Sequence, residues 1–227
     1  MHKNNISNSV IRRLPRYYRF LGELLNQDIQ KISSRELSEK MRLTASQIRQ
    51  DLNCFGGFGQ QGYGYNVAEL RRQIGLILGL DQKEKMILVG AGNLGRAITV
   101  HIDFPKYGYQ LAGIFDSNIS LEGIEISGIK IMHTNRLPEF CAEHKPAMAV
   151  LCIPKGGAKE MVDTLMDLGV NAFWNFSHYD IHYDHPDAAV ENVHLTDSLM
   201  TLSYAARNKQ EQLPENSATE ASEDSTV

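Results

Sequence analysis

Apolar residues at helical spacing are the first regular feature of the chain. They recur at i, i+3, i+4 and i+7 and predict a helix from Leu14 to Leu25, since that spacing places side chains on one face. The predicted apolar face comprises Leu14, Tyr17, Tyr18, Leu21, Leu24 and Leu25. Pro15 falls in the first turn of this predicted helix, where a missing backbone N–H is tolerated.

Two helix-start signals follow closely. Ser33 is followed three residues later by a glutamate, and Thr44 by Gln47, and each pair is typical of a capping box. The first pair predicts a short helix that ends near Met41, and the second a helix that ends near Cys54. Two short capped helices joined by a tight connection are typical of a helix-turn-helix.

The second of these helices has two distinct faces. The apolar side is expected to pack inward and carries Ala45, Ile48, Leu52 and Phe55. The opposite side and its flanks are polar and, with the cap Thr44, are candidate DNA contacts: Ser46, Gln47, Arg49, Gln50 and Asn53. Glutamine, asparagine and arginine read base edges in the major groove, although an ordinary solvated helix face has the same pattern.

Aromatic residues alternate with glycines after this helix. From Phe55 to Tyr65 the alternation predicts a tight two-stranded hairpin, the wing of a winged helix, with Gln60, Gln61 and Tyr63 as candidate DNA contacts. Positive charge in the first helix region adds sequence-independent affinity for phosphate. It comes from Arg12, Arg13, Arg16 and Arg19.

The second half of the chain begins with a strand–glycine–helix pattern. Met86–Val89 is a short apolar strand, and a helical stretch from Arg96 to His101 follows the glycine-rich turn. In this context GxGxxG predicts a dinucleotide-binding turn, because its glycines let a pyrophosphate approach the backbone and the helix N-terminus favours negative charge. The predicted cofactor contacts of the turn are Gly90, Ala91, Gly92, Asn93, Leu94 and Gly95.

The rest of a Rossmann pattern follows. Asp116 ends the next apolar strand, where a carboxylate binds the adenosine ribose and favours NAD(H) over NADP(H); a structural turn aspartate is the alternative. Strands at Ala149–Ile153 and Ala172–Phe176 alternate with a helix from Ala158 to Leu168, so we expect an α/β fold with a doubly wound parallel sheet. The candidate nicotinamide-side contacts at strand ends are Ile153, Pro154 and Asn175.

Charge and composition divide the chain into three regions. Residues 1–80 are basic and residues 81–209 acidic, which predicts that the first region meets a polyanion. We expect a winged-helix domain with a linking helix over 1–80 and a Rossmann domain with a final helix over 81–209. Residues 210–227 are acidic and poor in apolar groups, which predicts a disordered tail.

The cysteines and the N-terminal segment indicate the compartment. Three widely spaced cysteines, none in a CxxC, fit a reducing environment, and no segment has the apolar run of a secretory signal or a membrane span. We therefore expect a cytoplasmic protein.

Catalysis is not expected. A dehydrogenase needs a proton acceptor beside the nicotinamide and a group that holds the substrate, usually from a second α/β region, and the chain has no room for such a region. The densest titratable cluster contains His178, His182 and His185, whose spacing could bind zinc. Their surroundings are more typical of a surface loop, so no metal is expected.

Several of these segments resemble the Rex family of redox-sensing transcriptional repressors, over roughly Ile11 to Arg207. The matching stretches are YYRFLGEL, SSRELSEKMRLTASQIRQDLNCFGGFG, GYGYNVAEL, GAGNLGRAI, WNF and ENVHLTDSLMTLSY. The resemblance implies a homodimer with a swapped C-terminal helix, which binds operator DNA with NAD⁺ and releases it when NADH binds, without catalytic turnover.

Some positions depart from the family pattern. Gln50 stands where the family has a lysine, Asn53-Cys54 where it has Ser-Tyr, and Gln60 and Gln61 where it has basic residues. Loss of the basic residues at positions 50, 60 and 61 is expected to weaken the electrostatic attraction to DNA.

A second departure concerns the switch. Family members link an arginine, a tyrosine and an aspartate; here Arg19 matches the arginine, but His101 and His194 occupy the other two positions. A relative that binds NAD(H) but has lost redox sensing is therefore one alternative to an NAD(H)-responsive repressor. A small NAD-dependent oxidoreductase is a second alternative.

Overall fold

The computed structural model describes residues 6–56 and 64–211, apart from the side chains of the last two. The chain divides into two compact units. The first contains the chain up to Glu84 together with Asp103–Gln110, and the second contains Lys85–Ile102 and the chain from Leu111 onward. No helix in the described ranges is long and apolar enough to cross a membrane.

The first unit is mostly helical. Its elements are α1 (Asn8–Asn26), β1 (Lys31–Ile32), α2 (Ser34–Met41), α3 (Ala45–Asn53), β2 (Tyr65–Asn66) and α4 (Val67–Ile77). The two short strands pair antiparallel, with Ile32 opposite Tyr65. The apolar faces of the helices meet in one core, which includes Leu14, Leu21, Leu24, Leu37, Ile48, Leu52, Leu70 and Ile74.

Local capping chemistry places the starts of three helices. Ser33 and Glu36 form the complete capping box predicted for α2. The Asn66 side chain accepts a hydrogen bond from the Glu69 N–H at the start of α4. The Thr44 hydroxyl accepts from the Gln47 N–H at 3.1 Å, but Gln47 donates its own amide to Asp51, so the predicted second capping box is only half formed.

The first helix is longer than predicted. It starts at Asn8, and Pro15 therefore lies inside it rather than in its first turn, which corrects the prediction. The reason is tertiary: Val10 is buried and extends the apolar face upstream by one turn. Pro15 is on the exposed side, so its ring faces outward and the helix loses one backbone hydrogen bond there.

The second unit contains a seven-stranded sheet in the order β5-β6-β4-β3-β7-β8-β9. Its strands are β3 (Glu84–Val89), β4 (Tyr109–Asp116), β5 (Glu125–Ile126), β6 (Ile129–His133), β7 (Met148–Leu151), β8 (Ala172–Asn175) and β9 (Ala189–Asn192). Its helices are α5 (Asn93–His101), α6 (Leu137–His144), α7 (Lys155–Asp167), α8 (Ile181–Asp184) and α9 (Leu195–Glu211).

Parallel pairing dominates this sheet. β3 pairs with β7, β7 with β8, β8 with β9, and β4 with β6, all parallel, which confirms the predicted Rossmann-like sheet. The edge hairpin of β5 and β6 is antiparallel and was not predicted, and neither was β9. Strand residues such as Ile87, Ala149 and Leu151 are fully buried, because helices cover the sheet.

The last helix packs differently from the others. Its large apolar side chains are all at least 61 % exposed in the single chain: Leu195, Leu199, Met200, Leu202 and Tyr204. It begins at Leu195 and ends at Glu211.

Candidate nucleotide pocket and DNA-reading helix

Three glycines shape the turn between β3 and α5, each for a different reason. Gly90 has a φ of +102°, and a Cβ there would lie 2.4 Å from the Cys152 carbonyl oxygen. A Cβ on Gly95 would lie 1.9 Å from the Gly90 carbonyl oxygen. A Cβ on Gly92 would meet nothing within 4 Å. Packing therefore requires the outer two glycines, whereas the middle one leaves open space in front of the helix N-terminus.

That open space is part of a cavity of about 480 Å³ at the carboxyl ends of the strands. A cavity of this size is in the range of small-ligand sites. Five of the predicted cofactor contacts line it: Gly90, Gly92, Asp116, Ile153 and Pro154. The Gly92 N-cap places the first backbone N–H groups of α5 at its edge, where an anion is favoured by the helix dipole.

The remaining predicted contacts are not part of this lining. Ala91 is fully buried beneath the turn, and Leu94 is partly exposed outside the cavity. Asn93 and Gly95 are also absent from the lining. Several residues that line the cavity were not predicted, because they come from segments without a recognisable motif: Ser117, Thr134, Cys152, Gly157, Glu160, Met161 and Thr164.

Asp116 is held at the rim of this cavity. One carboxylate oxygen accepts a hydrogen bond from the Ala91 N–H at 2.7 Å, and the other accepts from the Asn118 N–H at 2.8 Å. These bonds fix the carboxylate beside the glycine turn. A negative charge at this strand end is suited to ribose hydroxyls and repels a 2′-phosphate.

The side chain of Asn175, another predicted cofactor contact, makes hydrogen bonds within the second unit instead. It is fully buried, and its amide nitrogen donates to the Tyr179 carbonyl and the Asn192 Oδ1, both at 2.8 Å. Its amide oxygen accepts from the backbone and hydroxyl of Ser177. The side chain therefore braces the end of β8 and does not line the cavity.

The titratable side chains that line the cavity are the carboxylates of Asp116 and Glu160 and the thiol of Cys152. Burial raises the pKa of the Cys152 thiol to about 12, so that it stays protonated at neutral pH. Its lining, taken over the described residues, contains no histidine, lysine or tyrosine that could act as a proton acceptor beside a nicotinamide.

The predicted DNA-reading face of α3 is mostly exposed. Ser46, Arg49, Gln50 and Asn53 are exposed, and Ile48 and Leu52 are buried as predicted. Ala45 and Phe55 are only partly buried. Gln47 is also partly buried and donates to Asp51 at 2.8 Å, which directs it toward the protein.

Two arginines predicted to contact DNA are engaged inside the first unit. Arg13 forms a bidentate pair with Asp51, and Arg16 donates to the Met41 carbonyl oxygen. Arg13 thus positions α3, a role the sequence analysis did not assign. Arg12 and Arg19 are exposed.

Asp51 is the functional residue that the sequence analysis missed in α3. Burial tends to raise its pKa, but hydrogen bonds from Arg13, Gln47 and Tyr17 outweigh that effect and hold the pKa below its ordinary value. Burial of Tyr17 and its hydrogen bond to Asp51 raise the pKa of the Tyr17 phenol. The position of Asp51 between buried Ile48 and Leu52 is a signal that could have identified it.

The wing contacts Gln60, Gln61 and Tyr63 lie outside the described residues, as does most of the predicted tail. At the C-terminal end of the predicted wing, β2 pairs with β1.

The histidines of the second unit do not converge. His178 and His194 face each other, with their Nδ1 atoms 2.8 Å apart, whereas His185 bonds to Asp163 at 2.6 Å. Within the described ranges no group of three or more potential ligands is placed to hold a metal ion. His101 is exposed at the end of α5.

Two protein families match separate parts of the chain. Residues 5–53 match a family described as putative DNA-binding protein N-terminus, and residues 81–179 match the CoA binding domain family. A protein of Thermoanaerobacter pseudethanolicus named redox-sensing transcriptional repressor Rex is 54 % identical over 202 residues, which cover 89 % of this chain and 90 % of the relative.

Two solved structures are similar over nearly the whole chain. A structure of RSP in complex with β-NAD⁺ and operator DNA is 50 % identical, with a TM-score of 0.84 and coverage of 95 % of this chain and 100 % of that chain. A structure of RSP in complex with β-NADH is 48 % identical, with a TM-score of 0.84 and coverage of 92 % and 98 %.

Proposed function

The chain belongs to the Rex family of redox-sensing transcriptional repressors, and from this premise we propose that it is an NAD(H)-responsive repressor which binds operator DNA with NAD⁺ and releases it with NADH. The observation that carries the proposal is the combination, in one chain, of an open Gly92 turn facing a cavity with an exposed polar face on α3.

The nucleotide is proposed to lie across the carboxyl ends of β3, β4 and β7. Its pyrophosphate would take the space in front of Gly92, where the N-terminus of α5 supplies backbone donors. Asp116 would hold the adenosine ribose, and Ile153 and Pro154 would contact the nicotinamide side. The nucleotide acts as a regulatory ligand in this proposal, and no turnover is expected.

Base contacts are assigned to Ser46, Gln50 and Asn53, with Arg12 and Arg49 near the phosphates. Arg49 donates to the Ser34 hydroxyl at 3.1 Å, which orients it along the start of α2. Phosphate contacts supply salt-sensitive affinity and base contacts supply specificity. A regulator of this kind acts on the chromosome, so we assign it to the cytoplasm.

A homodimer is part of the proposal because α9 exposes a continuous apolar surface in the single chain. Leu195, Leu199 and Leu202 share one helix face, and a second copy of the chain would cover it, with the helices exchanged between subunits. Leu202→Asp is expected to give a monomer in sedimentation experiments, whereas Thr201→Asp, on another face, leaves the dimer intact. A dimeric Leu202→Asp protein would contradict this assignment.

The second candidate, a repressor that has lost redox sensing, is favoured by one contact. Residue 194 is a histidine, so this position has no carboxylate to pair with an arginine such as Arg19, and the His194 ring bonds instead to His178 within the second unit. The third reading, a small oxidoreductase, has no comparable support in the cavity.

Operator titrations separate the three candidates. Binding of a palindromic duplex is measured at two salt concentrations, without nucleotide and with each of NAD⁺ and NADH. The proposal predicts salt-sensitive binding that NADH weakens. Equal affinity with both nucleotides would identify the non-sensing repressor, and absence of DNA binding with turnover of NADH would identify an oxidoreductase.

A further inference from the structure

His133 is the last residue of β6, beside the strand that carries Asp116. The pairing of β4 with β6 ends at Asp116 and His133, which lie opposite each other. The two strands therefore end at the same level of the sheet, where Ser117 follows the first and Thr134 follows the second. Ser117 and Thr134 line the nucleotide cavity, whereas His133 is not part of the lining.

Both ring nitrogens of His133 are hydrogen-bonded. The Asn135 N–H donates to Nδ1 at 3.2 Å and so caps the short 3₁₀ turn Thr134–Arg136, and Nε2 lies 3.1 Å from the Ser117 carbonyl oxygen. A carbonyl oxygen only accepts, so Nε2 carries a proton, and Nδ1 must be the unprotonated acceptor. One state of the ring, the neutral Nε2–H tautomer, satisfies both bonds.

These two bonds join the segments that follow β4 and β6. The segment after β4 is a tight turn in which the Asp116 carboxylate accepts from the Asn118 N–H at 2.8 Å. Ser117 is the middle residue of that turn, and its carbonyl oxygen is the one that His133 binds. Because the backbone pairing of the two strands has ended here, the imidazole continues the connection beyond the sheet. The ring therefore fixes the spacing of Ser117 and Thr134 and steadies the turn that presents Asp116.

We propose that His133 is a positioning residue for the adenosine half of the nucleotide. Its neutral ring holds Ser117 and Thr134 in place on the cavity wall and keeps Asp116 directed at the ribose. This inference rests on the proposed function, which places the adenosine ribose at Asp116. His133 acts through these neighbours and does not itself contact the nucleotide.

Two conservative substitutions separate the two hydrogen bonds. His133→Gln places an amide N–H donor near the position of Nε2, within reach of the Ser117 carbonyl oxygen. His133→Asn places an amide oxygen near the position of Nδ1, where it accepts from the Asn135 N–H, but its side chain is too short to reach Ser117. His133→Ala removes both bonds. The connection to Ser117 and the cap of the turn are thereby tested one at a time.

Calorimetric titration with ADP and fluorescence titration with NADH measure the effect, since ADP carries the adenosine and the pyrophosphate without the nicotinamide. We expect His133→Ala and His133→Asn to weaken binding of ADP and of NADH by the same factor, about fivefold, the usual effect of one lost hydrogen bond. His133→Gln should bind both nucleotides within twofold of the wild type. His182→Ala, which changes an exposed histidine of α8, is the matched control and should bind both normally.

Melting temperatures show whether each variant is folded, and the comparison of His133→Asn with His133→Gln stands even where His133→Ala is unfolded. An ADP affinity of His133→Gln no higher than that of His133→Asn would overturn the proposal, because the ring would then serve only as a cap of the 3₁₀ turn. An equal loss in His182→Ala would also overturn it. So would a loss for NADH without one for ADP, since the effect would then lie at the nicotinamide half.

The wild-type titrations distinguish this proposal from the proposed function. Binding of neither nucleotide by the wild-type protein would contradict the proposed function, and with it the assignment of His133. Normal binding by the wild type together with unchanged ADP affinity in His133→Asn would overturn the assignment of His133 alone.

Discussion

Arg13 on α1 holds Asp51 on α3 through two parallel hydrogen bonds, from Nε to Oδ2 at 2.6 Å and from Nη2 to Oδ1 at 2.7 Å. Asp51 is fully buried, and the Tyr17 hydroxyl and Gln47 amide also donate to it, at 2.9 and 2.8 Å. A bidentate pair fixes orientation as well as distance. The pair therefore sets the direction in which the exposed face of α3 points.

Removal of this carboxylate is expected to destabilise the first unit. Asp51→Asn leaves Arg13 without its counterion, and we expect the free energy of unfolding to fall by about 3 kcal/mol, as for other broken buried pairs. Urea denaturation followed by circular dichroism measures the change. Asn53→Ala, an exposed change on the same helix, is the control and should shift stability by less than about 0.5 kcal/mol. Equal stability of the two variants would show that the pair is not structural.

Acid should abolish the contribution of Asp51. The pKa of this carboxyl is lowered in the folded state, so its stabilisation is complete above the unfolded pKa near 3.9 and is lost as the pH falls through the lower folded pKa. The stability difference between wild type and Asp51→Asn should therefore be constant from pH 7 to 5 and shrink below about pH 4. A difference that shrinks near neutral pH would contradict the assignment.

Bulk at Gly92 should block the nucleotide without unfolding the protein. A Cβ there meets no protein atom within 4 Å, so we expect the side chain of Gly92→Val to extend into the space proposed for the pyrophosphate. We expect NADH affinity to fall at least tenfold, with the melting temperature nearly unchanged, as measured by calorimetry and thermal denaturation. Ala97→Val, on the exposed side of α5, adds a similar branched side chain and should bind NADH normally. Normal NADH binding by Gly92→Val would place the nucleotide elsewhere.

The exposed glutamine of α3 should contribute to operator recognition. Gln50→Ala is expected to cost about 1–3 kcal/mol of operator binding, the usual range for a base contact, with little effect on binding to unrelated DNA. Fluorescence anisotropy with both duplexes measures the difference. Gln82→Ala, an exposed glutamine outside α3, serves as the control. A loss that is equal on operator and unrelated DNA would make Gln50 a phosphate contact.

Features encoded by neighbouring residues were predictable from the sequence. The Ser33–Glu36 capping box depends on residues three apart, and the glycine turn depends on one strand and one helix next to it. The parallel sheet followed from the alternation of strands and helices. In each case the energetic reason for the structure lies within a few residues of the motif.

Features that depend on distant partners were missed. Asp51 pairs with Arg13, 38 positions earlier in the chain. Asn175 at the end of β8 bonds to Asn192 on the neighbouring strand β9. Pro15 was placed in a first turn because burial of Val10, which extends α1, is set by tertiary packing. β9 has a mostly exposed pattern, and only its pairing with β8 defines it as a strand.

The most direct test of nucleotide control over DNA binding is the operator affinity of the wild-type protein measured with saturating NAD⁺ and then with saturating NADH at one salt concentration. We expect NADH to weaken the affinity at least a hundredfold, about 2.7 kcal/mol, which is roughly half of the free energy needed for a complete switch. Equal operator affinity in the two nucleotides, with both shown to be bound, would contradict it.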